Sequence, residues 1–199
     1  KKSAESYADA QAIAASKGDT PMAILFPDKH MVDPNTGQPV SPTLTFNQGK
    51  TAVQQGNAKA TPVIMDAKQY QNYQELTTLM RDVGQLVDVT SKMKGAGPAQ
   101  VLQAWWQDKT GTPATTTQAM EAYQSLIIRY QKALTGTGRY VQSEAMKMSG
   151  GFPSFFDSSQ SGLNRLKTTI DILQGQRDAS LGKLDFGDLQ AKVATAQQR

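Results

Sequence analysis

Cysteine is absent from this chain. That removes a disulfide framework, a thiol nucleophile and every thiolate metal site at once. Histidine occurs once, at His30, within the polar stretch PDKHMVDP, which reads as surface rather than as a ligand. Serine–histidine catalysis would need His30 to meet a serine and a carboxylate, and its surroundings suggest neither. Glutamate occurs only at positions 5, 75, 121 and 144, so a carboxylate pair of the glycosidase kind is hard to nominate. No run approaches the roughly 18 apolar residues that cross a bilayer. The first residues lack the apolar core of a secretory signal. A large excess of one charge is missing too: 21 Lys and Arg stand against 17 Asp and Glu, a net +4.

The remaining chemical motifs fail on inspection. Gly49-Lys50-Thr51 resembles the end of a P-loop, but the earlier glycine it needs is Leu44, and no strong strand precedes it. Asp28 and Asp33 flank a loop without the alternating acidic ladder of a calcium site. Ser143-Glu144 resembles the glutamate context of lytic transglycosylases, and Ala145-Met146-Lys147 does not continue it. The expectation is a non-enzymatic protein with no cofactor and no metal.

What is present is helix-forming text broken by glycine and proline. Hydrophobic content is 38% and charged content 19%, both low for a compact domain, with polar uncharged residues filling the difference. The chain opens at Lys1 without methionine and ends in polar helical text, which suggests part of a longer protein. Residues 1–18 read as an N-terminal helix with a thin face of Tyr7, Ala10, Ile13 and Ala14, stopped at Gly18. Residues 19–65 read as a proline-rich irregular arm and linker, because Pro21, Pro27, Pro34, Pro39, Pro42 and Pro62 forbid long helices. Within it, Asp33–Gly37 predicts a turn, Thr43–Phe46 alternates like a short strand, and 49–61 looks like a flexible linker.

Residues 66–199 read as a helical domain. Asp66 suits the N-cap of a helix to about Lys94, with a stripe of Leu76, Leu79, Met80, Val83, Leu86, Val87 and Met93. Gly84 interrupts the stripe and implies either a closely approaching helix or a bend. Pro98 suits N1 of a helix to about Lys109. It carries Trp105 and Trp106, which lie about 100° apart and cannot share one narrow core. Another helix spans Thr115–Leu134 with Ala119, Tyr123, Leu126, Ile127, Tyr130 and Leu134 inward. A short polar helix is predicted over 139–149, and Phe152, Phe155 and Phe156 form an aromatic plug. The last strong helix begins near Ser161. Its Leu163, Leu166, Ile170 and Leu173 form a 3-4-3 seam fit for packing on another helix or copy. The fold class expected is mainly α, multi-helix and bundle-like, with the irregular arm attached.

Residues 126–181 carry a resemblance. Leu134-Thr135-Gly136-Thr137-Gly138-Arg139 follows an apolar helix, then come the polar VQSEAMKM, the break at Gly150-Gly151, and LNRLKTTIDIL. This order is similar to a segment of the DNA ejection (internal virion, or DNA transfer) proteins of tailed bacteriophages. The resemblance implies a helical structural protein that assembles with its own copies, and with other ejection, portal or tail proteins. Together they form a channel or ring that conducts the genome across the host envelope. It implies residence in the virion, in the capsid interior or tail, and in the host periplasm or envelope after ejection. On that reading Gly136, Gly138, Gly150 and Gly151 are hinges, and the Leu163–Leu173 seam is an oligomer surface. Arg129, Lys132, Arg139, Arg165, Lys167 and Arg177 are then basic residues facing DNA without sequence preference. Two other readings fit the same composition: a helical subunit of a bacterial envelope or secretion system, and a non-catalytic flanking domain of a virion peptidoglycan-cleaving enzyme.

Overall fold

A computed structural model describes residues 3–135 and 156–182 of the chain. Among them the protein is mainly α, with seven helices and one two-stranded sheet. The elements are α1 (Tyr7–Lys17), α2 (Met22–Leu25), β1 (Lys29–Val32), α3 (Phe46–Gly56), β2 (Val63–Asp66), α4 (Ala67–Lys92), α5 (Pro98–Thr110), α6 (Thr116–Thr135) and α7 (Gln160–Ser180). They fall into two compact units, one built mainly from Lys1–Gln71 and the other mainly from Asn72–Ala179.

The first unit occupies the stretch where the sequence suggested a helix, an irregular arm and a linker. Its prolines stand at the bounds of short elements. The helix α2 begins directly after Pro21 and β1 lies between Pro27 and Pro34, while α3 and β2 fall between Pro42 and Pro62 and just beyond it. Local capping boxes start α1 and α3. Ser6 Oγ accepts from the Asp9 amide at 3.2 Å and the Asp9 carboxylate accepts from the Ser6 amide at 3.1 Å, a reciprocal box that satisfies two orphan donors. Thr45 and Gln48 repeat the arrangement at α3. The Asp19 carboxylate accepts from the Thr45 hydroxyl and, at 3.0 Å, from the Asn47 amide. Thr45-Phe46 therefore starts a helix and is not part of a strand, apart from an isolated bridge between Pro21 and Thr45.

The sheet is a single antiparallel pair, with Lys29 opposite Asp66 and Val32 opposite Val63. The predicted turn at Asp33 is present: the Gly37 amide donates to the Asp33 carbonyl at 2.7 Å, and Gly37 has φ +71°. The core of this unit gathers Ala10, Met22, Leu25, Phe26, Met31 and Phe46, with the Tyr7 ring 5.2 Å from that of Phe46. Gly49, expected in a flexible linker, is buried in α3. A Cβ there would lie 2.9 Å from Met22 Sδ and 3.2 Å from Met31 Sδ. Glycine lets the helix approach the two thioethers.

The second unit follows the sequence reading more closely. Asp66 caps α4 in a box with Gln69, at 2.7 and 3.0 Å. Leu76, Leu79, Val83 and Leu86 are buried, while Met80, Val87 and Met93 are half-buried against the same core. Gly95 (φ +84°) turns the chain into α5, which has Pro98 at its first position. Trp105 is buried and Trp106 only partly so, as the 100° step requires. Ala119, Tyr123, Leu126 and Tyr130 of α6 complete the core, and Phe156 meets Tyr123 edge-on at 5.3 Å. The polar helix expected over 139–149 lies outside the described residues, as do Phe152 and Phe155.

Two glycines show opposite constraints. No heavy atom lies within 4 Å of a Cβ built on Gly84, so close approach of a second helix is not the reason for glycine there. At Gly162, in the first turn of α7, a Cβ would fall 1.9 Å from the Asp157 carbonyl oxygen. The turn that precedes α7 folds back over it: Ser159 Oγ accepts from the Gly162 amide, and Asp157 accepts from the Ser159 amide and hydroxyl. Gly84→Ala is therefore expected to stabilise the protein by roughly 0.5–1 kcal/mol through helix propensity and a stiffer unfolded chain. Gly162→Ala is expected to destabilise it by about 1–3 kcal/mol, because backbone must move. Urea unfolding followed by tryptophan fluorescence measures both. The fluorescence reports the second unit, since Trp105 and Trp106 both lie on α5.

Candidate functional site: a buried carboxylate and its cations

Asp82 occupies the apolar stripe of α4, three residues after Leu79 and one before Val83, and its side chain is 2% exposed. A carboxylate in that position must be paired or neutralised. Lys109 from the end of α5 and Arg129 from the middle of α6 both reach it. Lys109 Nζ lies 2.8 Å and Arg129 Nη1 2.7 Å from the same oxygen, Oδ2. Arg81 Nε stands 4.0 Å from the other oxygen, Oδ1, which accepts no hydrogen bond among the described residues. The Trp105 indole N–H donates to the Asp82 backbone carbonyl at 3.2 Å, and Lys109 Nζ lies 5.4 Å from the centre of the Trp105 ring. Three helices thus meet at one residue.

The electrostatics oppose each other. Burial pushes the Asp82 carboxyl upward. The hydrogen bonds from Lys109 and Arg129, with their charges, outweigh burial and hold it below the usual carboxylate range. Desolvation alone acts on Tyr123 and Tyr130, whose phenols are raised far above their ordinary value. At the entrance to α7, the Ser159 amide and hydroxyl hold Asp157 below the carboxylate range.

The structure redistributes the residues that the sequence proposed. Arg129 is committed to Asp82. Lys132, Arg165 and Lys167 are exposed, and Arg165 Nη2 reaches the Ser161 hydroxyl at 3.4 Å. Arg177 is partly buried and pairs with Asp178 at 3.4 Å. Arg139, Gly136, Gly138, Gly150 and Gly151 lie outside the described residues.

The seam on α7 is partly displaced. Leu166 and Leu173 are in the same core as α4–α6 and Leu163 is buried, while Ile170 is half-buried and Ile172 fully so. These leucines pack within the chain. Thr169 turns inward beside them, in place of the Ile170 that the heptad puts there, and donates its hydroxyl to the Arg165 carbonyl at 3.1 Å. The His30 ring lies tilted against that of Tyr70, with ring centres 4.6 Å apart and planes 39° apart.

Arg81, Asp82 and Lys109 were not singled out from the sequence. The available signal was an ionisable residue inside an apolar helical stripe. Its partners are 27 and 47 residues away, beyond any local motif. Among the described residues no group of three or more metal-ligating side chains occurs, and no helix is long and apolar enough to cross a membrane. Comparison with family models, curated proteins and solved structures finds no match.

Asp82→Asn leaves two cations without their counter-charge. The expected loss is about 2–3 kcal/mol, less than for a fully buried pair because Lys109 and Arg129 are partly solvated. The sign with pH follows from the lowered carboxyl. The wild-type advantage is full above the unfolded aspartate value near 3.9 and disappears as pH falls through the lower folded value. Urea midpoints of wild type and Asp82→Asn, compared between neutral pH and pH 3, measure it; a gap that widens on acidification contradicts the assignment.

Proposed function

We propose that this chain is a structural component of a tailed-phage DNA ejection apparatus. It assembles with copies of itself, beside other ejection, portal or tail proteins, into a ring or channel. That channel conducts the genome from the virion across the host envelope. The observation that carries the reading is the order of segments in residues 126–181: an apolar helix, LTGTGR, VQSEAMKM, a double-glycine break, then LNRLKTTIDIL. Modest charge, absence of cysteine and glycine-broken helices agree with a protein that must rearrange to leave a capsid.

The packing of α7 changes where assembly would occur. Leu163, Leu166 and Leu173 are used inside the chain, so copies must meet on another face. Ile128, on the outer side of α6, is 63% exposed and is the apolar residue best placed to nucleate such a contact. Sedimentation velocity and negative-stain electron microscopy across a wide concentration range test the reading. Closed rings or tubes are expected, and Ile128→Glu is expected to shift their assembly to at least several-fold higher concentration. A wild-type protein that stays monomeric throughout, with or without lipid vesicles, overturns it.

A further inference from the structure

The Asp82 cluster has more positive charge than its carboxylate can use. Arg81, Lys109 and Arg129 all lie within 4.0 Å of it, which leaves a local excess of two positive charges. The carboxylate is buried, whereas the cations open outward: the Arg81, Lys109 and Arg129 side chains are 69%, 31% and 38% exposed. Their donors are mostly unspent. A guanidinium has five N–H donors. Among the described residues Arg129 uses Nη1 on Asp82, and Arg81 makes only the long approach to Oδ1.

We infer that this cluster is a contact site for the phosphodiester backbone of nucleic acid, bound without sequence preference. Asp82 brings Lys109 and Arg129 side by side, while its own negative charge offsets one of theirs. Two guanidinium groups suit a phosphate, whose oxygens accept paired N–H bonds. A lone acidic side chain would neutralise only half of the excess. A phosphodiester chain brings successive charges and releases counterions as it binds. The inference deepens the conduit reading by naming residues that would meet DNA, yet it stands on the α4–α6 geometry alone. Rings that form without binding DNA sink only this inference; DNA binding by a permanent monomer sinks only the conduit.

Fluorescence anisotropy with a labelled mixed-sequence 30-mer duplex, titrated over salt concentration, tests it. Three phosphate contacts predict a plot of log affinity against log salt with slope roughly −2 to −3. Arg81 sits too far from Asp82 to be essential for the fold. Arg81→Gln is expected to weaken binding roughly tenfold near 0.1 M salt and to make the slope shallower by about one, with the urea midpoint unchanged. Asp82→Asn removes the buried negative charge and is expected to bind DNA more tightly while being less stable. That opposite movement of affinity and stability is one a purely structural ion cluster would not produce. Should Asp82→Asn fail to fold, Arg81→Glu serves in its place and is expected to abolish binding at 0.1 M salt. Unaltered binding by Arg81→Glu, weaker binding by folded Asp82→Asn, or binding to phosphatidylglycerol vesicles but not to DNA overturns the inference.

Discussion

A carboxylate placed in the apolar face of α4 sets the terms for the second unit. Desolvating it alone would be costly, so the fold must deliver donors from elsewhere, and they come from two different helices. Lys109 is at the last turn of α5 and Arg129 is midway along α6. Both reach the same oxygen, and the Trp105 indole fastens α5 to the backbone carbonyl of the same residue. Hydrophobic burial of Leu76, Val83, Trp105, Tyr123 and Tyr130 supplies the larger driving force. It is non-directional, however, and would tolerate a sliding helix. The hydrogen bonds to Asp82 are directional and fix one alignment of α4, α5 and α6.

The first unit obtains its definition by a different route. Its elements are short, and a four-residue helix or strand has little stability of its own. Here reciprocal caps at Ser6 and Thr45, the Asp19 carboxylate bridging to the start of α3, and the Lys29–Glu5 pair at 2.6 Å tie distant pieces together. The methionines Met22 and Met31 then fill the space that Gly49 leaves open, as adaptable side chains do.

What could be read from the sequence divides along the same line. Helices α4, α5 and α6 were legible because their apolar residues recur at helical spacing, and Asp66 and Pro98 mark the starts of α4 and α5. Beyond α1 and the turn at Asp33, the first unit was not legible, since six prolines in forty-odd residues look like interruption until tertiary contacts show that they are boundaries. Gly49 illustrates the difficulty: a glycine among polar residues reads as flexible, and only the thioethers of two other segments explain it. The α7 seam was legible as a packing face at Leu163, Leu166 and Leu173, and departed at Ile170. A heptad predicts Ile170, while an untwisted helix drifts relative to that repeat and turns Thr169 and Ile172 inward.

The candidate site was hidden for a further reason. A count of basic residues cannot tell which of them are spent. Arg129 looked like one of several cations available to DNA, and the fold commits one of its donors to Asp82. Arg81 and Lys109 looked unremarkable, and the same carboxylate draws them into a group. Summing charge along the chain gives a weak and diffuse +4. The folded arrangement concentrates an excess of two at one point, because a single buried negative charge attracted three positive ones. That local imbalance follows from placing one aspartate where a helix would ordinarily carry a leucine.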